Sequence, residues 1–118
     1  MKVLIVESDP NRGQIWRSHI MRLGGSVALE RDQNHAIMAL RDEAYDILVL
    51  NLDLEDAGSI SVADYASYRW PDCKVIFVTA RSFFSDGSIF SYVSNVCAFV
   101  PAAVAPEDMA ALVEHHAR

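Results

Sequence analysis

Glu7, Ser8 and Asp9 stand directly after the apolar run Val3 to Val6, Asn51 ends the run begun at Ile47 with Asp53 just beyond it, and Thr79 ends the run begun at Lys74. Carboxylates grouped in this way can hold a divalent cation, and a carboxylate can attack phosphorus to give an acyl phosphate. Asn51 lacks that capacity, because the lone pair of a carboxamide is delocalised. Other chemistries find less material. The chain has no glycine-rich phosphate loop after its first apolar run, no P-loop, no Ser/His/Asp constellation and no Cys/His metal spacing. His115 and His116 are adjacent, so on a helix they point about 100° apart and cannot share a metal on one face.

The elements that must position these residues follow from pattern. Val3 to Val6 is a continuous β-branched and aliphatic run, the signature of a strand buried on both faces, and it leads through Asp9 and Pro10, a cap and a first-turn proline, into a helix. Trp16, Ile20 and Leu23 at i, i+4 and i+7 make its apolar stripe, and Gly24-Gly25 ends it. Val27 to Leu29 reads as a short strand, and residues 33–43 as a helix with Ala36, Ile37 and Leu40 on one face. Ile47 to Leu50 is the most apolar strand, ending at Asn51; Ser59 to Arg69 reads as a helix closed by Pro71, and Lys74 to Thr79 as the fourth strand. Residues 84–94 are a helix weakened by Gly87 and four serines, Ala98 to Val100 is a fifth strand, and Met109, Leu112, Val113 and His116 line a last helix behind Pro106 and Glu107. Five strands alternating with five helices predict an α/β fold whose parallel sheet is covered on both faces by right-handed crossovers. In such sheets ligands bind beyond the carboxyl ends of the strands, which is where Glu7, Asn51 and Thr79 stand.

At 118 residues the chain has the length of one domain, residues 1–118. Apolar residues make up 52% and charged residues 22%, a globular balance. Sixteen acidic against ten scattered basic residues give a net charge of −6, which argues against nucleic-acid binding. No apolar run approaches the ~20 residues that span a bilayer, residues 1–6 do not make a signal peptide, and a cytoplasmic protein is expected. Cys73 and Cys97 read as buried thiols rather than a disulfide.

Four segments in order, VLIVESDP, YDILVLNLDLED, KVIFVTAR and AFVPAAVAPEDM, together resemble the receiver domain of bacterial two-component response regulators over essentially the whole chain. The resemblance implies a (βα)5 doubly wound, flavodoxin-like fold with a five-stranded parallel sheet in the order 2-1-3-4-5. It also implies an acidic pair after strand one, a phosphoacceptor aspartate ending strand three, a hydroxyl ending strand four and a lysine followed by proline after strand five. Here the acidic pair becomes Glu7 and Ser8, the phosphoacceptor becomes Asn51, the hydroxyl is kept as Thr79, and lysine-proline becomes Ala102-Ala103. Phe99 falls on the aromatic that changes rotamer on activation, and Asp53 on the position whose backbone carbonyl helps hold magnesium.

Read this way, the chain is a degenerate pseudo-receiver. Ser8 replaces a direct magnesium ligand, so Glu7, even with Asp53, makes a weak cation site, and Mg2+ binding is expected to be weak or absent. Ala102 removes the cation that offsets charge on transferred oxygens, and no arginine takes its place: Arg81, two residues past Thr79, reads as an exposed loop residue. As alternative phosphate acceptors, Asp53 and Asp56 are disfavoured, because both lie in the loop beyond the strand, away from the pocket geometry. Without phosphorylation the expected input is a protein partner or a second copy, bound on the face formed by the fourth helix, fifth strand and fifth helix, where Phe83 and Phe84 add apolar bulk. The alternatives are residual metal-dependent signalling through Glu7 and Asp53 and, from another class, a flavodoxin-like enzyme or nucleotide binder, which the missing motifs disfavour. Met1 and the helical ending suit a stand-alone domain.

Overall fold

The apolar runs become the inner strands of the sheet. In the computed structural model, which describes residues 1–54, 58–80 and 95–117, β1 (Lys2–Val6), β2 (Ser26–Glu30), β3 (Ile47–Asn51), β4 (Lys74–Thr79) and β5 (Val96–Pro101) pair in parallel in the order β2-β1-β3-β4-β5. This is the order that the resemblance implies. Every residue of β3 is buried, as is β1 from Val3 onward, so neither strand alternates between polar and apolar residues. Alternate side chains feed two cores instead. Leu4, Val6, Leu48, Leu50, Val75 and Phe77 face one, while Val3, Ile5, Ile47, Val49, Ile76 and Val78 face the other.

Four helices are present among the described residues: α1 (Pro10–Arg22), α2 (Gln33–Asp42), α3 (Ser59–Arg69) and α4 (Pro106–Ala117). Trp16 and Ile20 of α1 and Met109 and Val113 of α4 fill one core, and Ala36 and Leu40 of α2 with Val62, Ala63 and Ala66 of α3 fill the other. The helix expected over residues 84–94, with Phe83 and Phe84, lies outside the described residues, as do Asp56 and Arg81. Leu23 departs from the expected stripe and is exposed, because it is the cap residue at which α1 has already stopped. The inner face of α1 also includes Gly13, where an added Cβ would meet Leu29 Cδ1 at 2.7 Å, so the missing side chain lets α1 lie close on β2.

β5 is longer than the expected Ala98 to Val100, because the pairing slips between Val75 and Ile76 and continues on both sides of the irregularity. Cys73 packs in the core of Leu4 and Cys97 against the core of Val3, and both are free thiols. Burial pushes the Cys73 thiol up to about 12 and raises that of Cys97. No helix among the described residues is long and apolar enough to cross a membrane.

Candidate functional site

The chain leaves β1 still bonded to β2, Glu7 N–H donating to Glu30 O at 3.0 Å, and this carries the Glu7 side chain inward until it is only 3% exposed. Asp9 then caps α1. Its Oδ1 accepts the N–H groups of Asn11 at 2.9 Å and Arg12 at 3.3 Å, while Pro10 fills the position where no donor is needed. The backbone N–H of Asp9 donates to Glu7 Oε2 at 3.1 Å, and the Arg12 guanidinium turns back to Glu7 Oε1 at 3.4 Å. Cap and ion pair are therefore built from one tight turn.

Asn51, the last residue of β3, completes the shell around Glu7. Its Nδ2 donates to Glu7 Oε1 at 2.8 Å, and its Oδ1 accepts the Asp53 N–H at 2.7 Å. The two neighbours fix the amide orientation, since the carboxylate needs a donor and the N–H an acceptor. The backbone carbonyl of Asn51 accepts from Ser59 Oγ at 2.6 Å, tying β3 to the start of α3. Asp53 turns its carboxylate towards β4, where Oδ2 accepts from Thr79 Oγ1 and Ala80 N–H, each at 2.9 Å. A continuous polar chain thus links Arg12, Glu7, Asn51, Asp53 and Thr79 across the ends of three strands.

Glu7, Ser8, Asn51 and Asp53 line one open cleft of about 430 Å3. Thr79 adjoins it through Asp53 and is itself buried. Two expectations need correction. Asp53 does not stand away from the pocket, because the turn after Asn51 folds its carboxylate onto Thr79. Nor does the pocket lack an arginine: Arg12, on the first turn of α1, lines it and pairs with Glu7. Ala102 borders an adjoining cleft with Ile15 and Trp16, which shares Asp9 and Arg12 with the first. The Ser8 hydroxyl donates to Arg31 O at 3.1 Å, towards the β2 side. Phe99 is half-buried and stacks on Phe77 with ring centroids 5.4 Å apart.

Arg12 left little trace in the sequence, since an arginine on a helix usually marks a solvated face. The available signal was its offset, three residues after the capping Asp9, which puts its side chain over the end of β1.

The donor set decides what this cleft holds. Both oxygens of Glu7 meet N–H hydrogens, from Asn51, Arg12 and Asp9. A divalent cation needs oxygen ligands on its side of the carboxylate, so these residues as arranged do not fit magnesium. Among the described residues no group of three or more His, Cys, Asp or Glu side chains is disposed to hold a metal ion.

Family models and curated proteins give no match to the chain. Solved structures do. A CheY-like response-regulator receiver domain protein from Methanospirillum hungatei is 16% identical, with a TM-score of 0.88 over 98% of this chain and 92% of that one. The N-terminal domain of a response regulator/sensory box/GGDEF protein from Carboxydothermus hydrogenoformans is 18% identical, with a TM-score of 0.84 over 100% and 94%. The response regulator TrrA from Thermotoga maritima, in complex with Mg2+-BeF, is 16% identical, with a TM-score of 0.82 over 98% and 97%. At these identities the likeness establishes the fold, that of a response-regulator receiver domain.

Proposed function

We propose that this chain is a pseudo-receiver: a signalling domain of the two-component type that acts through protein contact, without aspartyl phosphorylation, and catalyses no reaction. The observation that carries the reading is the Asn51 carboxamide at the end of β3, held by Glu7 on one side and the Asp53 N–H on the other. An amide there offers no nucleophile for phosphorus. Its Nδ2 also donates to Glu7 Oε1 and so takes up part of that carboxylate's capacity to bind a metal. TrrA, of the same fold, carries Mg2+-BeF in its solved complex; in this chain Glu7, Asn51, Asp53 and Thr79 are hydrogen-bonded to one another.

A conformational equilibrium moves only with a ligand that prefers one state. With no phosphoryl group to supply that preference, the input is a protein partner or a second copy of the chain. Its docking face is the one that includes β5 and α4, and its place of action is the cytoplasm. The acidic balance of 16 to 10 supports a protein rather than a nucleic acid as the partner. Incubating the chain with acetyl phosphate and Mg2+ and then measuring intact mass tests the reading. The mass is expected to stay unchanged, and an added phosphoryl group overturns it.

A further inference from the structure

We propose that Arg12 takes the place of a divalent cation at Glu7, and that Arg12 and Asn51 together close this pocket to magnesium. The inference rests on the pseudo-receiver reading and deepens it, by naming the residues that keep the site shut.

Glu7 is buried and flanked by the carboxylates of Asp9 and Asp53 in the same cleft. A buried charge persists only when it is paired and hydrogen-bonded. In this chain the compensation is internal. Asn51 Nδ2 and Arg12 Nη1 share Oε1, at 2.8 and 3.4 Å, and the Asp9 N–H takes Oε2 at 3.1 Å. The guanidinium is anchored at its base, because the Arg12 backbone N–H is itself bonded to the Asp9 cap.

Two differences from a metal follow. A guanidinium stays protonated at any pH that the fold survives, and it is tethered to the chain, so this counter-charge cannot dissociate. The side chain of Arg12 is 37% exposed against 2% for Glu7, so the guanidinium is the solvent-facing partner of the pair. Ser8, with its hydroxyl turned to Arg31 O, leaves that arrangement undisturbed. The Glu7 carboxylate is thus paired once, at folding, and that pairing is indifferent to magnesium and to chelators.

The test compares thermal midpoints in EDTA and in millimolar MgCl2 for the wild-type chain, Asn51→Asp, Asn51→Asp with Arg12→Ala, and Asn51→Asp with Arg12→Lys. The wild type and the lysine double variant are expected to show no shift. The alanine double variant is expected to gain a saturable rise of ~4 °C or more, because Glu7 and the new carboxylate then face solvent without a resident cation. Should that variant be unfolded in EDTA, recovery of its circular dichroism on adding MgCl2 carries the same result. A saturable shift in the wild type overturns the inference. So does Asn51→Asp responding as fully with Arg12 in place, or an alanine double variant that neither shifts nor refolds. The pseudo-receiver reading fails separately, on the mass of wild-type chain treated with acetyl phosphate.

Discussion

At the residue scale the pocket turns on the nitrogen of one carboxamide, that of Asn51. The Asn51 Nδ2 donates a hydrogen bond to Glu7 Oε1 across 2.8 Å, and a carboxylate at the same place would face it with a second negative charge. Asn51 is 4% exposed, so little water is available to screen the pair. Asn51→Asp should therefore destabilise the chain by about 3 kcal/mol at pH 7 without magnesium, the usual scale for an uncompensated buried charge. The pH dependence supplies the diagnostic. Two carboxyls sharing a site raise the folded-state pKa of one above its unfolded value, so the folded variant holds a proton that the unfolded chain has lost. The deficit against wild type should shrink as pH falls from 7 towards 5, in urea unfolding followed by tryptophan fluorescence. A gap that stays constant over that window would mean that packing, not charge, sets the cost. Glu7, Ser8, Asn51 and Asp53 could be placed from sequence because each sits at or just past a strand end. Arg12 could not, nor could the bond from Thr79 to the Asp53 carboxylate, since these depend on which way a long side chain and a tight turn fold back.

At the element scale, most boundaries are local chemistry and were legible. The predicted Ser59 to Arg69 helix and the strand Lys74 to Thr79 match α3 and β4 residue for residue, and the Asp9-Pro10 start of α1 is a cap with real hydrogen bonds. Gly24-Gly25 does what its composition implies. Gly24 N–H donates to Met21 O at 3.0 Å and Gly25 N–H to Ile20 O at 3.3 Å, with Gly24 at φ +89°, the closing pattern that favours glycine in the left-handed region. An added Cβ at Gly24 meets nothing within 4 Å, so Gly24→Ala isolates the backbone cost. It should lose about 1 kcal/mol, measured as a lower urea midpoint with an unchanged slope. β5 was less legible. Its extra length depends on the slip of pairing opposite Val75 and Ile76, a tertiary feature that no run of residues announces.

At the scale of the whole molecule, the sheet separates two cores that share every central strand, so opening one face should loosen the other. The apolar runs announced a sheet covered on both faces, yet the partition of Cys73 into one core and Cys97 against the other depends on pleat and register. Cys73 lies 1% exposed, its thiol pushed up to about 12 by burial, first, and then by the nearby Asp46 carboxylate. Since the thiolate is the reactive form, Cys73 should be alkylated only when the whole fold opens, at a rate that tracks unfolding in urea. The sign of the pH effect follows. Above pH 9 the unfolded chain loses the Cys73 proton while the folded chain keeps it, so stability falls as pH rises from 9 towards 12, with a slope of up to about 1.4 kcal/mol per unit for this one group. Tyr45, also raised to about 12 by burial, adds its own slope above 10, so the contrast that isolates the thiol is wild type against Cys73→Ala. Replacing the thiol costs the same packing at every pH, and the stability lost on substitution should therefore diminish between pH 9 and 10.5. Alkylation of Cys73 at low urea, ahead of the fluorescence transition, would instead mean that its core opens on its own and that the two faces of the sheet are not one cooperative unit.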